Sequence, residues 1–191
     1  MARSAGIDRA RVVEAAAELA DARGLESLTL AAVAEQLHVR LPSLYNHIDG
    51  LGGLRRELAL LGARELAERL RNAAVGVAGE AAVLALANAY RAYILQHPGR
   101  YAATVRAPAA EDEEFQRLAQ TLIDTFRAVL AAYELAGDDA LHTIRGLRSL
   151  THGFASLELA GGFGLPLDRD ESYRRLLRAY LVGLKRFAID N

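Results

Sequence analysis

The sequence predicts an all-α protein of about nine helices, and three observations carry that expectation. Alanine, leucine, arginine and glutamate dominate while β-branched residues are sparse, no stretch alternates with period two over strand length, and apolar residues recur at helical spacing between glycine and proline breaks. With 191 residues, 52% of them hydrophobic, the chain can bury one large core or two small domains that share one.

The first helix is expected from about Asp8 to Arg23, with Val13, Ala16, Ala17 and Ala20 on one face and Gly24 as its left-handed stop. Thr29 supplies a capping hydroxyl for a second helix of about two turns, on which Leu30, Val33, Ala34 and Leu37 share a face. Pro42 opens a third short helix, because the N–H it lacks would be unpaired in a first turn, and Leu44 and Ile48 anchor that helix inward. After the hinge "DGLGG", residues 49–53, a long helix runs from Leu54 to Asn72 and connects the two halves. The next spans Glu80 to Gln96 and ends at His97-Pro98-Gly99, since a residue before proline resists helical angles. A short helix follows from Gly99 to Arg106. The acidic loop 107–114 feeds charges into the first turn of the next helix, where they favour its dipole, and that helix runs to about Ala136 and stops at Gly137. Asp138 caps another helix from Asp139 to Ala160, "GGFGLP" breaks the pattern, and a last helix spans Asp170 to Ala188. The expected domains are 1–53 with the connector 54–72, and 73–191.

A formal charge of −1 argues against bulk attraction to nucleic acid or acidic membranes. Arginines and acids nearly cancel over residues 1–57 as well, so any nucleic-acid contact is local and needs two copies of the chain. Zero cysteines exclude disulfides and thiolate chemistry and fit a reducing cytoplasm. The N-terminus lacks the apolar core of a secretory signal, and no window reaches the length of a membrane span, so a cytoplasmic protein is expected. No paired histidines stand at metal-binding spacing, and neither a P-loop nor a nucleophile elbow occurs. The glycines of "GGFG" lack dinucleotide spacing. The chain is therefore read as a non-enzyme without metal or cofactor.

The second and third helices, with a short turn between them, have the arrangement in which one element enters a DNA major groove while the other braces it. With Leu44 and Ile48 turned inward, Pro42, Ser43, Tyr45, Asn46 and His47 lie at the outer, leading end. Hydroxyl, phenol, amide and imidazole groups donate to phosphate oxygens, which fixes register without reading sequence. Arg40 reaches a phosphate or a guanine edge. A helical adaptor that binds another protein would account for the apolar stripes but not for this polar tip.

The run Thr-Leu-x-x-Val-Ala-x-x-Leu-x-Val followed by Pro-Ser-Leu-Tyr-x-His-Ile, Thr29 to Ile48 here, resembles the N-terminal domain of TetR family transcriptional regulators. The resemblance implies backbone contacts by Thr29, Tyr45 and His47, and base reading near Arg40, Pro42 and Ser43. Three positions depart from the family pattern. His38 stands where the turn usually has glycine, Arg40 replaces the usual serine cap, and Leu51 replaces a frequent phosphate-binding lysine, which leaves Arg3, Arg9, Arg55 or Arg56 as substitutes.

"HPGRYA" and "LTHGFASLE" are similar to the C-terminal domain of the family group marked by a Trp-His-Gly motif, with Thr151 in the tryptophan position. That likeness implies a small-molecule cavity and a dimer interface on the last two helices. Tyr90, Tyr93, Ile94, His97, Tyr101, Phe126, Phe154 and Phe163 are the candidates for the cavity, which would take an apolar or amphipathic effector. Leu147, Leu150 and Leu157, with Tyr173, Leu177, Tyr180, Leu181 and Leu184, form the stripes expected to face a second subunit. The function implied is a ligand-responsive repressor that binds a palindromic double-stranded operator as a homodimer and is released by its effector.

Overall fold

The computed structural model describes residues 7–190, with side chains as far as Leu184. Among the described residues there are nine α-helices and no strand: α1 Arg9–Arg23, α2 Leu30–Gln36, α3 Leu41–Leu44, α4 Gly50–Ala74, α5 Gly79–Gln96, α6 Pro98–Thr104, α7 Glu113–Leu130, α8 Gly137–Leu159 and α9 Arg169–Asp190. The all-α expectation holds. The chain forms two compact units: the described residues up to Glu65 with Gln96–Gln116, and Leu66–Leu95 with the residues from Arg117 onward.

In the first unit, Thr29 caps α2 as the sequence predicts, and Asp8, expected as the first residue of α1, is instead its cap. Asp8 accepts from Arg11 N–H at 2.8 Å, and Thr29 Oγ1 accepts from Ala32 N–H at 3.2 Å. Val12, Ala16 and Ala17 of α1, Val33 of α2, Leu44 of α3 and Leu54 and Leu58 of α4 are fully buried together. Helix α4 begins at Gly50, four residues before the expected start. Glycine propensity argues against helix there, but Leu51 packs on this core and the Gly53 amide donates to Asp49 at 3.1 Å, so tertiary contact overrides propensity.

The expected boundary at 73 places α6 with the C-terminal half, whereas α6 packs on α1 in the first unit. Gly99 makes this approach feasible: a Cβ there would lie 2.1 Å from the Ala20 carbonyl carbon. Buried Arg100 then ties three helix positions together. Its guanidinium is 2.8 Å from Glu14, 3.0 Å from Asp21 and 2.8 Å from Glu65, while its amide donates to Asp21 at 2.9 Å. Burial works against the charge, but these three carboxylates outweigh it and raise the Arg100 pKa.

In the second unit, Gly146 lets the Tyr180 ring lie across α8, where its hydroxyl donates to the Thr143 carbonyl at 3.1 Å. The expected stop at Gly137 is instead the start of α8; α7 gives way to a short 3-10 turn at Ala131–Tyr133, and Glu134 takes a left-handed φ of 58°. Arg91 of α5 is the charged centre of this unit. It donates to both Glu158 oxygens at 2.9 Å and to Asp170 at 2.7 Å, and it lies 5.2 Å and 5.0 Å from the Phe154 and Tyr173 ring centres. Desolvation opposes its charge, yet the hydrogen bonds to Glu158 and Asp170 hold its pKa above the ordinary arginine value.

Candidate nucleic-acid interface

Helix α3 is one turn long and is held from below. Leu44 is 0% exposed and Ile48 5%, and burying a side chain of this kind contributes about 1.5–3 kcal/mol. That anchoring fixes what faces outward: Tyr45 is 58% exposed, Arg40, Pro42 and Asn46 are exposed, and Ser43 and His47 are half-buried. Exposed Thr29 already accepts from Ala32, which leaves its hydroxyl hydrogen for a phosphate oxygen.

The turn between α2 and α3 explains two departures from the family pattern. His38 has φ 56°, the left-handed conformation that suits glycine, and its residue follows a helix end where Val39 N–H donates to Ala34 at 3.0 Å. Arg40 occupies the cap of α3 without a side-chain hydrogen bond. The position therefore gives up local capping and presents a cation.

A cleft of about 200 Å³ adjoins the tip, lined by Tyr45, Asn46, His47, Asp49, Arg9, Arg56 and Glu57, together with Gly53 of α4. Of the four arginines that could replace a lysine at Leu51, Arg3 lies outside the described residues. Arg55 turns away to Leu25 O at 3.5 Å and Glu26 at 3.3 Å. Arg9 and Arg56 line the cleft; Arg9 pairs with Glu57, and Arg56 forms a two-point bond with Asp112 at 2.6 and 2.7 Å.

The eight residues expected to line an effector cavity are placed otherwise. Tyr90, Tyr93, Ile94, Phe126 and Phe154 are buried in the core of the second unit, with Tyr90 and Phe126 ring centres 6.4 Å apart. Half-buried Phe163 stacks 4.7 Å from Phe154. His97 and Tyr101 belong to the first unit, where the His97 ring faces Asp21 at 3.4 Å. None of the eight lines the cavity of about 620 Å³ in the second unit, whose walls include Leu84, Asn88, Arg91, Leu95, Glu158, Asp170 and Arg174. Large aromatic side chains at helical spacing fill the core here, and the cavity lies beside the Arg91, Glu158 and Asp170 cluster.

The residues expected at an interface differ in exposure within the single chain. Leu147, Tyr173, Leu177, Leu181 and Leu184 are each at most 8% exposed within the single chain, so they face its own core. Tyr173 hydroxyl donates to Ala87 O at 3.0 Å and shares a 2.8 Å hydrogen bond with Thr151, the residue in the tryptophan position of the motif. Burial lifts the Tyr173 phenol to about 12. Leu150 and Tyr180 are half-buried, and Leu157 is 52% exposed. The sequence reading missed Arg91, Arg100 and Asp112 altogether. An arginine set among Ala87, Tyr90 and Ile94 was the one available signal, since a charge on an apolar face implies a buried partner.

Comparison with known proteins agrees with this architecture. The family model described as "Tetracyclin repressor-like, C-terminal domain" matches residues 83–180. An HTH-type transcriptional regulator of Mycobacterium tuberculosis is 35% identical over 187 residues, covering 97% of this chain and 85% of that one. The HTH-type transcriptional regulator YobS of Bacillus subtilis is 35% identical over 180 residues, 94% of this chain and 93% of its own. A TetR variant of Acinetobacter baumannii, crystallised with minocycline, shares the fold at a TM-score of 0.72 and 22% identity, over 96% of this chain and 99% of that one. An all-helical chain with these relatives is a helix-turn-helix transcriptional regulator. It belongs to the TetR family.

Proposed function

We propose that the protein is a repressor that binds a palindromic operator as a homodimer and leaves it when a small amphipathic effector binds. The observation that carries this reading is the tip of α3, where exposed Tyr45 and Asn46 stand on buried Leu44 and Ile48. A polar end fixed this firmly suits the phosphates and base edges of a major groove. Tyr45, His47 and Thr29 hold the backbone, and Arg40, Pro42 and Ser43 approach the bases. One head carries nearly balanced charge, so two heads about 34–36 Å apart are needed for tight binding.

Support for the dimer comes from the outward face shared by α8 and α9. Leu150, Gly153 and Leu157 lie along one side of α8, and Leu176, Tyr180 and Gly183 along the adjoining side of α9. A Cβ on Gly153 or Gly183 would meet nothing within 4 Å, so a partner helix has room to approach closely. The 620 Å³ cavity is of ordinary size for a small ligand, and its leucines and charged groups suit an amphipathic one. The effector must bind the two states unequally to act, and α4 is the element proposed to transmit its binding as a changed separation of the heads. Among the described residues no helix is long and apolar enough to cross a membrane, and no group of three His, Asp or Glu side chains could hold a metal ion. A regulator of this kind works in the cytoplasm, where the DNA is.

The test is selection of fragments from the source genome followed by gel shift and sedimentation. A retarded fragment with two-fold symmetry, bound by two chains and released at raised salt, supports the reading. A monomer that retards no fragment refutes it.

A further inference from the structure

Arg9 and Arg56, the two arginines that line the cleft beside the α3 tip, are each matched by an acid of the same chain, Arg56 at two points. Its Nε and Nη2 donate to the two Asp112 oxygens at 2.6 and 2.7 Å, while Nη1 reaches Glu57 at 3.3 Å and Nη2 also reaches Glu114 at 3.4 Å, so Asp112 alone holds the two-point face. This two-point geometry is the one a guanidinium offers to a phosphate diester, which presents the same pair of oxygens. Arg56 lines the cleft that also holds Tyr45 and His47, and 40% of its side chain remains exposed. The acid comes from elsewhere in the sequence: Asp112 ends the loop between α6 and α7, and its Oδ1 accepts from Phe115 N–H at 3.1 Å, so the start of α7 fixes its position.

We propose that Asp112 is a built-in competitor for DNA phosphate, occupying the face of Arg56 that would otherwise grip the duplex backbone beside Tyr45 and His47. The inference rests on the DNA-binding reading and adds a regulatory element to it. While the carboxylate is seated, the head presents Arg56 already neutralised and its grip on any duplex is weakened. Withdrawal of Asp112 exposes a bidentate donor in the cleft that Tyr45 and His47 also line. The loop thereby sets affinity for DNA in general, without altering which bases are read, because a phosphate contact carries no sequence information.

The experiment uses the full chain and a labelled mixed-sequence duplex of about 30 base pairs, so that no operator is needed. Asp112→Asn keeps an oxygen to cap α7 but loses the charge that holds Arg56. The expected result is a roughly three- to tenfold gain in affinity, with a steeper salt dependence, by about one released counterion. Glu111→Gln removes a neighbouring exposed charge without touching Arg56 and is expected to give little gain. In an Arg56→Gln background, Asp112→Asn is expected to give none. An equal gain from Glu111→Gln, or a gain that survives loss of Arg56, reduces the effect to bulk charge and overturns the inference. Binding by the wild type that is unchanged or weakened in Asp112→Asn overturns the inference while leaving the DNA-binding reading intact. Failure of both proteins to bind any duplex overturns both.

Discussion

His38 pays with backbone strain for its place in the turn. A non-glycine residue at φ 56° crowds its own Cβ, and replacing it with glycine relieves that at some cost in unfolded-chain entropy. His38→Gly is expected to stabilise the protein by up to about 1 kcal/mol, read from the denaturant midpoint; a loss of stability would mean the imidazole has a local role that outweighs the strain. Tyr45 is the residue on which the DNA contact is most directly tested. Tyr45→Phe removes from an exposed ring the hydroxyl proposed to donate to phosphate, so affinity should fall by a similar factor on every operator variant, measured by fluorescence anisotropy. A changed base preference would contradict a backbone role for this phenol.

At the scale of elements, charged side chains act where apolar packing alone would leave the pairing of helices unspecified. Arg91 and Glu158 are about nine-tenths buried as side chains and join α5 to α8. Arg91→Met leaves Glu158 only the 3.7 Å approach of exposed Arg169, and the expected cost is roughly 3 kcal/mol. Glu158→Met added to it should recover much of that loss, as measured by urea unfolding. Additive losses would show that Asp170 and the two aromatic rings, rather than Glu158, set the worth of Arg91. The same elements show what a sequence conveys. Glycine and proline made most helix boundaries legible, because Gly24, Pro42 and His97-Pro98 act through their own backbones. The first turn of α4 was hidden, since Gly50 to Gly53 have poor propensity and helix there depends on where Leu51 packs. The apolar stripe of α9 was equally plain, but periodicity states only that a face is covered. Tyr173, Leu177 and Leu181 turn out to be covered by the chain itself.

For the molecule as a whole, the phenol of Tyr173 sets an alkaline limit. Its folded pKa of about 12 lies above the ordinary value of 10.0, because burial disfavours the phenolate. The sign follows directly: the unfolded chain releases this proton first, so the stabilisation is complete below pH 10 and is lost as pH rises toward 12. Tyr173→Phe should therefore be less stable near neutrality by about 1–2 kcal/mol, through loss of the hydroxyl's hydrogen bonds to the Ala87 carbonyl and to the buried Thr151 hydroxyl. It should also lose less on going to pH 11, read from thermal melts across that range; parallel declines would place the alkaline loss on another group. The α3 tip was legible because its residues are neighbours in sequence, whereas the acids that meet Arg56 and Arg100 come from distant segments that no local pattern links.

The seating of Gly99 against Ala20 bears on protein engineering. A chimaera that borrowed this reading head and stopped the graft at residue 53 or 65 would leave α1 with an uncovered groove and leave Asp21 without the backbone amide it accepts from. The transplantable module is discontinuous, and residues 96–116 have to travel with it.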